Sequence, residues 1–283
     1  MTSPPPLILG LISDLFFMAP IETTARALGF EMRWIERGDI VEAGAPHARG
    51  PGEPLSGRGA AFVRQVVEWQ PALVLVDLSN DALPWEVWIA SLKSSPATRR
   101  IPVVAFGPHI DLALRARAED VGCDVILARS ALMRSLPEWL QKHARRVDAA
   151  ALEADCCAPL SAPARDGIAL FNRGEFFEAH EALEHAWNAE PGPARELYRG
   201  LLQVAVAYLQ IERGNYNGAL KMFLRQRQWL DPLPDVCRGV DVAQLRADAR
   251  AARAALEALG PERIAEFDRG LFKPLKMMDS ADP

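Results

Sequence analysis

The chain has 283 residues, of which 49% are apolar, and its formal net charge is −5. This length exceeds what one compact domain usually needs, so we expect two domains. The acidic balance excludes the broad basic surface of a nucleic-acid-binding protein, and no apolar run reaches the length of a membrane span.

The four cysteines form no familiar metal or redox motif. No CxxC pair is present, and the adjacent Cys156 and Cys157 are poorly placed to bridge each other or to chelate one ion. The first residues also lack the basic segment of a targeting signal. These features predict reduced thiols in a cytoplasmic protein.

The first half of the chain alternates short apolar runs with helical patterns. Strands are predicted over 7–12, 30–35, 72–77, 102–106 and 124–128. Helices are predicted over 20–27, 59–69, 84–94, 110–121 and 131–145, the first of them opened by Pro20. Strands that are buried on both faces read as continuous apolar runs, so the pattern predicts a doubly wound, five-stranded parallel sheet. The Gly- and Pro-rich stretch 37–58 predicts a long loop.

Residues that could carry chemistry follow four of the predicted strands. Asp14, Asp77, Gly107 and Arg129 each come at or just after a strand end. Ligand sites in such sheets lie at the carboxyl ends of the strands. We therefore expect these four residues at one edge of the sheet.

Residues from about 6 to 145 resemble the response-regulator receiver domain, which has the CheY-like, or flavodoxin-like, fold. The segments PALVLVDLS, IPVVAFG and AEDVGCDVILARS carry the resemblance. It puts Asp77 at the phosphoacceptor position, and it puts Asp14 at the one acidic position that remains of a magnesium-binding pair.

Other positions depart from that family. Gly107 stands where the family has a hydroxyl residue, and Arg129 stands where it has a lysine. Phosphoryl transfer to a carboxylate needs a metal ion and donors for the phosphoryl oxygens. The resemblance thus implies a vestigial receiver site formed by Asp77, Asp14 and Arg129, at which we do not expect magnesium.

The second half of the chain shows no strand pattern after residue 164. Helices are predicted over about 164–172, 175–189, 194–212, 216–229, 241–258 and 261–269. We predict a receiver-like domain over 1–147, a linker over 148–164 and an all-helical bundle domain over 165–278.

The stretch FNRGEFFEAHEALEHAW, residues 171–187, holds four glutamates and two histidines but no lysine. An α-helix turns about 100° per residue, so His180, Glu184 and Trp187 share one face. Glutamates on neighbouring turns repel one another. A bound cation, arginines from another helix, or solvent could each offset that repulsion.

Residues from about 164 to 275 resemble the bacterial and archaeal domain-of-unknown-function family 309. The family motif HxxxExx[WY] corresponds here to His180, Glu184 and Trp187, and YRGLLQVAVAY and GNYNGA follow it in order. The family has been described as a predicted metal-dependent hydrolase or metal-binding domain. The resemblance therefore implies that His180 and Glu184 hold a divalent metal ion of open identity.

Two arrangements remain open for this face. In the first, His180 and Glu184 hold the ion, Gln203 borders the pocket, and Glu181 is the general base. In the second, His180 and Glu184 hydrogen-bond each other, Arg199 pairs with Glu184, and Trp187 belongs to the core.

These arrangements give two hypotheses for function. The first is a cytoplasmic regulatory or interaction protein, in which a pseudo-receiver and a helical domain bind a protein partner. The alternative is a metal-dependent hydrolase that is regulated by the receiver-like domain. Neither hypothesis involves nucleic acid or a membrane, and both leave the oligomeric state open.

Overall fold

The computed structural model describes residues 5–41, 59–108 and 111–278. The chain divides into two compact units, Met1–Arg146 and Val147–Pro283. Most of the loop that was predicted over 37–58 lies outside the described residues. Among the described helices, none is long and apolar enough to cross a membrane.

The first unit contains a five-stranded sheet in which every neighbouring pair of strands is parallel. Its strands are β1 (Leu7–Leu11), β2 (Glu31–Trp34), β3 (Leu73–Asp77), β4 (Val103–Gly107) and β5 (Val125–Ala128). Their order is β2-β1-β3-β4-β5. This is the receiver-like, or flavodoxin-like, strand order, so the predicted fold class is confirmed.

Six helices accompany this sheet in the described part of the first unit. They are α1 (Leu15–Ala27), α2 (Ala60–Trp69), α3 (Trp85–Ser94), α4 (Leu112–Asp120), α5 (Arg129–Arg134) and α6 (Leu136–His143). The predicted start of α1 at Pro20 is wrong, because the Asp14 side chain accepts a hydrogen bond from the Phe16 amide and begins the helix earlier. The helix predicted over 131–145 is two short helices, with Pro137 in the first turn of the second.

The core of this unit forms one layer on each face of the sheet. Leu9, Leu11, Val74 and Val76 belong to one buried cluster. Ile8, Leu73 and Leu75 belong to the other. Successive side chains of a strand point to opposite faces, so each central strand contributes to both layers. Helices on both faces thus explain the continuous apolar runs.

The second unit is helical apart from one short hairpin. Its helices are α7 (Ala149–Cys156), α8 (Ala162–Asn172), α9 (Phe176–Ala189), α10 (Arg195–Glu212), α11 (Tyr216–Leu230) and α12 (Val242–Leu259). The hairpin pairs β6 (Val236–Cys237) with β7 (Val240–Asp241) in antiparallel register. The helix predicted over 261–269 consists of two short 3-10 helices, Pro261–Glu266 and Arg269–Leu271.

Residues 148–164, which were predicted to be a linker, are mostly helical in the structure: they include α7 and the beginning of α8. Asp148 caps α7 by accepting a hydrogen bond from the Ala151 amide, and Leu152 and Cys156 are buried in the core of the second unit. An eight-residue helix is only marginally stable alone, so these tertiary contacts stabilise it.

Two similar turns begin α9 and α11. Gly174 and Gly214 have φ values of 81° and 69°, each two residues before its helix. This left-handed backbone is the conformation that glycine adopts without steric cost. The related segments GEFFEA and GNYNGA therefore each begin the second helix of a helical hairpin.

Candidate functional site

Asp77 lies at the carboxyl end of β3 and is only 3% exposed. Arg129, the first residue of α5, donates from Nη2 to both Asp77 carboxylate oxygens at 3.1 Å. The Ser79 amide and hydroxyl donate to Asp77 Oδ1 at 3.0 and 2.6 Å. Arg129 also donates to the Ser79 hydroxyl, and its guanidinium lies 5.0 Å from the centre of the Phe17 ring. Both oxygens of Asp77 thus already have partners.

The other positions of the vestigial receiver site do not add to a metal site. Asp14 is exposed at the start of α1, where Oδ1 accepts the Phe16 amide hydrogen at 2.9 Å. Gly107 ends β4 and supplies no side-chain donor. The structure therefore brings Arg129 to Asp77 as a counter-ion and uses Asp14 as a helix cap.

Large apolar side chains surround this edge of the sheet. Leu15, Phe16 and Leu112 are 74%, 81% and 78% exposed, and we call them the apolar rim. Leu15 and Phe16 begin the helix after β1, and Leu112 begins the helix after β4. Both strands pair with β3, so the rim residues lie at the edge that carries Asp77. Contiguous patches of exposed apolar groups commonly mark interaction sites, and these three groups share one edge of the sheet.

The motif helix of the second unit is α9. Its buried face is formed by Phe176, Ala179, Leu183 and Ala186. The glutamates at 178, 181 and 184 are all exposed, as is His185, whereas His180 is half-buried. The repulsion between the glutamates is therefore screened by solvent.

His180 and Glu184 are not joined to each other. Within the described part of the chain, neither side chain makes a hydrogen bond or an ion pair. Arg199 does not pair with Glu184; its Nη1 lies 3.6 Å from Glu196 on its own helix. The predicted network of His180, Glu184 and Arg199 is thus absent, because Glu184 faces water whereas Arg199 is buried.

Arg199 instead lies among aromatic rings. Its guanidinium is 4.6 Å from the centre of the Trp187 ring and 3.7 Å from that of Trp229. Arg195 lies 5.1 Å from the Trp187 ring. Stacking of this kind stabilises a desolvated guanidinium by about 2 kcal/mol. Trp187 packs partly against the core, as the second arrangement predicted.

Gln203 is buried on α10, with 4% of its surface exposed. Its Oε1 atom has no hydrogen-bond partner among the described residues. The described chain thus supplies no specific partner for this buried carbonyl.

The donors of the second unit do not fit a metal centre. No group of three or more His, Cys, Asp or Glu side chains in the described ranges could hold a metal ion. His180 and Glu184 supply two donors on one helix, whereas a catalytic zinc ion usually has three protein ligands. Glu181 is exposed on a different face of α9, so among the described residues no metal centre lies beside it for which it could act as general base.

The most connected polar group of the second unit is a cluster that sequence reasoning missed. Arg238 donates from Nη1 to Glu190 at 2.5 Å and to the Tyr198 hydroxyl at 2.7 Å, and from Nη2 to Asp155 at 2.7 Å. We call these four residues the Arg238 cluster. The hydrogen bond from Arg238 lowers the pKa of Glu190. The cluster connects α7, the loop after α9, α10 and the hairpin.

A disulfide lies beside the Arg238 cluster. It joins Cys156 to Cys237 across 81 residues of sequence, and the Arg238 amide donates to the Cys156 carbonyl at 2.6 Å. The expectation that all thiols are reduced is therefore wrong for this pair, while Cys123 and Cys157 are free. Adjacent Cys156 and Cys157 do not bridge each other, as predicted. No sequence motif marks a pairing over such a separation.

One family model matches part of the second unit. Residues 164–222 match the family described as "Domain of unknown function (DUF309)". An uncharacterized protein of Aquifex aeolicus (strain VF5) is 30% identical over 78 residues, which are 27% of this chain and 23% of that relative. The match therefore spans about a quarter of the relative's length.

The first half is similar to solved receiver structures. A putative response regulator from Chloroflexus aurantiacus J-10-fl is 14% identical, with a TM-score of 0.38, over 49% of this chain and 96% of that one. A second similar structure is the receiver domain of a sensor histidine kinase from Pseudomonas aeruginosa PAO1, which holds a magnesium ion. It is 17% identical, with a TM-score of 0.38, and the match covers 49% of this chain and 97% of that one.

Proposed function

We propose that this chain is a regulatory protein whose receiver-like unit binds a protein partner without being phosphorylated. The observation that carries the proposal is the ion pair between Arg129 and Asp77, in which one guanidinium nitrogen donates to both carboxylate oxygens. The carboxylate that would accept a phosphoryl group already has an internal counter-ion.

The charge around Asp77 and its burial both oppose phosphorylation of this carboxylate. An acyl phosphate forms only if a carboxylate oxygen is free to attack and a metal ion neutralises the phosphoryl charge. Magnesium would have to replace Arg129 at a carboxylate whose side chain is 5% exposed, with one acidic group fewer than the family uses. Moving Arg129 away before the ion is bound would leave the buried Asp77 carboxylate uncompensated, which is strongly destabilising.

The apolar rim supports partner binding at the same edge. A receiver-like site that is not phosphorylated has no need for exposed Leu15, Phe16 or Leu112. Covering each of these side chains with a partner would lower the free energy of the complex. Burying a side chain of this size contributes about 1.5–3 kcal/mol. The rim is therefore suited to a partner that offers a complementary apolar face.

Treatment with acetyl phosphate and Mg²⁺ tests the phosphorylation half of the proposal. Intact-mass analysis is expected to show no phosphoryl adduct on the wild-type protein. Arg129→Lys, which restores the residue type of the receiver family, is the matched comparison, and Asp77→Asn is the negative control. A stoichiometric acyl phosphate on wild-type Asp77 would contradict the proposal.

Affinity capture with a substituted rim tests the partner half. A protein retained by the wild-type chain should be lost with Phe16→Ser. It should be kept with Val236→Ser, which removes an exposed apolar group from the second unit. Equal retention by both variants would remove the rim from the proposal.

We do not extend the proposal to metal-dependent hydrolysis. His180 and Glu184 are two donors without a third among the described residues, so we derive no reaction through an ion. Elemental analysis of the purified protein is the direct test. Stoichiometric zinc or manganese that disappears in His180→Ala would favour the hydrolase instead.

A further inference from the structure

The outer face of α1 extends the apolar rim along the surface of the first unit. Leu15, Phe16, Ala19 and Pro20 are all exposed there, and the first charged residue of the helix is Glu22. A surface helix normally turns its polar side chains outwards and buries its apolar ones. Almost two turns of α1 thus present an uncharged, apolar face to solvent.

Acidic side chains accompany this apolar surface across the edge of the sheet. One exposed acidic residue follows each of four adjacent strands: Glu36 after β2, Asp14 after β1, Asp81 after β3 and Asp111 after β4. We call these four residues the acidic row. Within the ranges that the structure describes, none of their carboxylates forms an ion pair. The acidic row therefore adds negative charge beside the rim.

Four arginines near this edge already have acidic partners. Their ion pairs join Arg129 to Asp77 at 3.1 Å, Arg37 to Asp39 at 2.7 Å, Arg115 to Glu119 at 3.1 Å, and Arg117 to Glu86. The Glu86 hydrogen bond raises the pKa of Arg117, and the nearby charges of Asp111 and Asp81 reinforce this effect. Since each arginine is matched by a carboxylate outside the acidic row, the edge keeps an excess of negative charge.

We propose that the rim and the acidic row together bind a basic amphipathic helix of a partner protein. This inference rests on the proposed function and names the chemistry of the partner at the same edge. Apolar side chains on one face of that helix cover Leu15, Phe16 and Leu112, and flanking lysines or arginines approach the acidic row. The charges accelerate association and select the partner, whereas the apolar contacts hold the complex together.

The position of the rim favours recognition by a helix over recognition by a strand. The rim lies at the carboxyl ends of the strands, and β1, β3 and β4 already pair on both sides. A partner strand needs a free lateral edge of a sheet, which the ends of these inner strands do not offer. Recognition here therefore depends on side chains. An amphipathic helix presents an apolar stripe between charged flanks, which matches apolar groups bordered by carboxylates.

The test measures binding of a fluorescent model peptide to the full-length protein by anisotropy. The peptide is an amphipathic helix of about 18 residues, or five turns, with leucines on one face and lysines on the other. A peptide with glutamate in place of lysine is its matched control, and it should bind at least about 10-fold more weakly. Phe16→Ser removes an exposed apolar side chain of the rim and should weaken binding of the lysine peptide at least about 10-fold.

Neutralising part of the acidic row tests the charge without disturbing the helices. In the double variant of Asp14→Asn and Asp111→Asn, an amide oxygen still caps α1 and α4. This variant should bind the lysine peptide about 3- to 10-fold more weakly at low salt, and the difference should vanish near 1 M salt, where the screening length is about 3 Å. The double variant of Glu212→Gln and Glu262→Gln removes the same total charge from exposed sites of the second unit and should bind as the wild type does.

Equal binding of the two peptides, or equal binding by the two double variants, overturns this inference. Self-association of the wild-type protein in sedimentation that is lost in Phe16→Ser would overturn it in favour of a second copy of this chain. Affinity capture separates this inference from the proposed function. A captured protein that is lost with Phe16→Ser but kept by the aspartate double variant would leave partner binding at the rim in place and remove the basic helix.

Discussion

Removal of the disulfide should destabilise the second unit without affecting the first. Cys237→Ser opens a loop closed across 81 residues. In the chain-entropy model, closing a loop of that length stabilises the folded state by about 4.5 kcal/mol, because it restricts the unfolded chain. For a unit of this size, that loss lowers the melting temperature by roughly 15 °C.

The Arg238 cluster should preserve the folded structure of the second unit after the disulfide is opened. Arg238 and Asp155 adjoin Cys237 and Cys156, so their ion pair holds the same two segments together when the disulfide is open. The folded arrangement is therefore expected to persist in the reduced protein. The loss of stability then arises mainly in the unfolded state, and the native circular dichroism spectrum should not change.

Differential scanning calorimetry with and without a phosphine reductant measures this effect. One transition should move to lower temperature on reduction and in Cys237→Ser, while the transition of the receiver-like unit stays in place. Cys157→Ser, which alters the exposed neighbouring thiol, is the control and should match the wild type. Transitions that do not respond to reductant, or four free thiols in the denatured, unreduced protein, would refute the reasoning.

Three further predictions concern single side chains. Arg238→Met should destabilise the second unit by about 3 kcal/mol in urea titrations, because it leaves two partly buried carboxylates facing each other. A negligible loss of stability, without any change in acid sensitivity, would argue against the cluster. Burial, together with the charge of Lys142, lowers the pKa of His143. As the pH drops, the unfolded state therefore takes up the proton first, and the free energy of unfolding should fall below about pH 6.5. His143→Phe, which keeps a ring against Trp139, should flatten the stability of the first unit between pH 7 and 5, and an unchanged slope would exclude His143 as the cause. Gly200→Ala should lower the stability of the second unit by about 1–2 kcal/mol, although alanine has the better helix propensity, because the added methyl group overlaps the Leu230 side chain. A stabilised variant would show that α10 and α11 can move apart.

The sheet of the first unit was predictable because its signal is local. Each strand is an apolar run buried on both faces, and each is followed by a helical pattern, which leaves few topologies. The ends of the strands then placed Asp77 and Arg129 at one edge. That Arg129 reaches both Asp77 oxygens depends on side-chain geometry over 52 residues of separation, which no periodicity encodes.

The start of α1 shows how a local rule can mislead. Pro20 at a first turn is a valid helix-start signal, yet Asp14 is an equally valid cap, and the two predict different starts. The cap prevails because Met18 and Ile21 extend the buried face of the helix towards its beginning. The start of α11 follows the same capping rule, since the Asn215 side chain accepts the Gly218 amide hydrogen at 2.9 Å.

The helical unit was predictable in its elements but not in its polar contacts. Helical periodicity correctly put His180, Glu184 and Trp187 on one face. It could not tell that this face runs from a half-buried histidine to an exposed carboxylate, because the neighbouring face of the helix, with Leu183, carries the core. Exposure depends on which helices pack against α9, and that information is spread over the whole unit.

The disulfide also determines how the family match should be used in practice. Helices α8 to α11, and with them all of residues 164–222, lie inside a covalent ring that Cys156 and Cys237 close. A fragment covering only residues 164–222 would lack both Cys156 and Cys237. It would also lack Arg238 and Phe272, whose ring stacks on Tyr208. Conversely, a protease cut within the ring would leave one molecule on a non-reducing gel and release two pieces only after reduction.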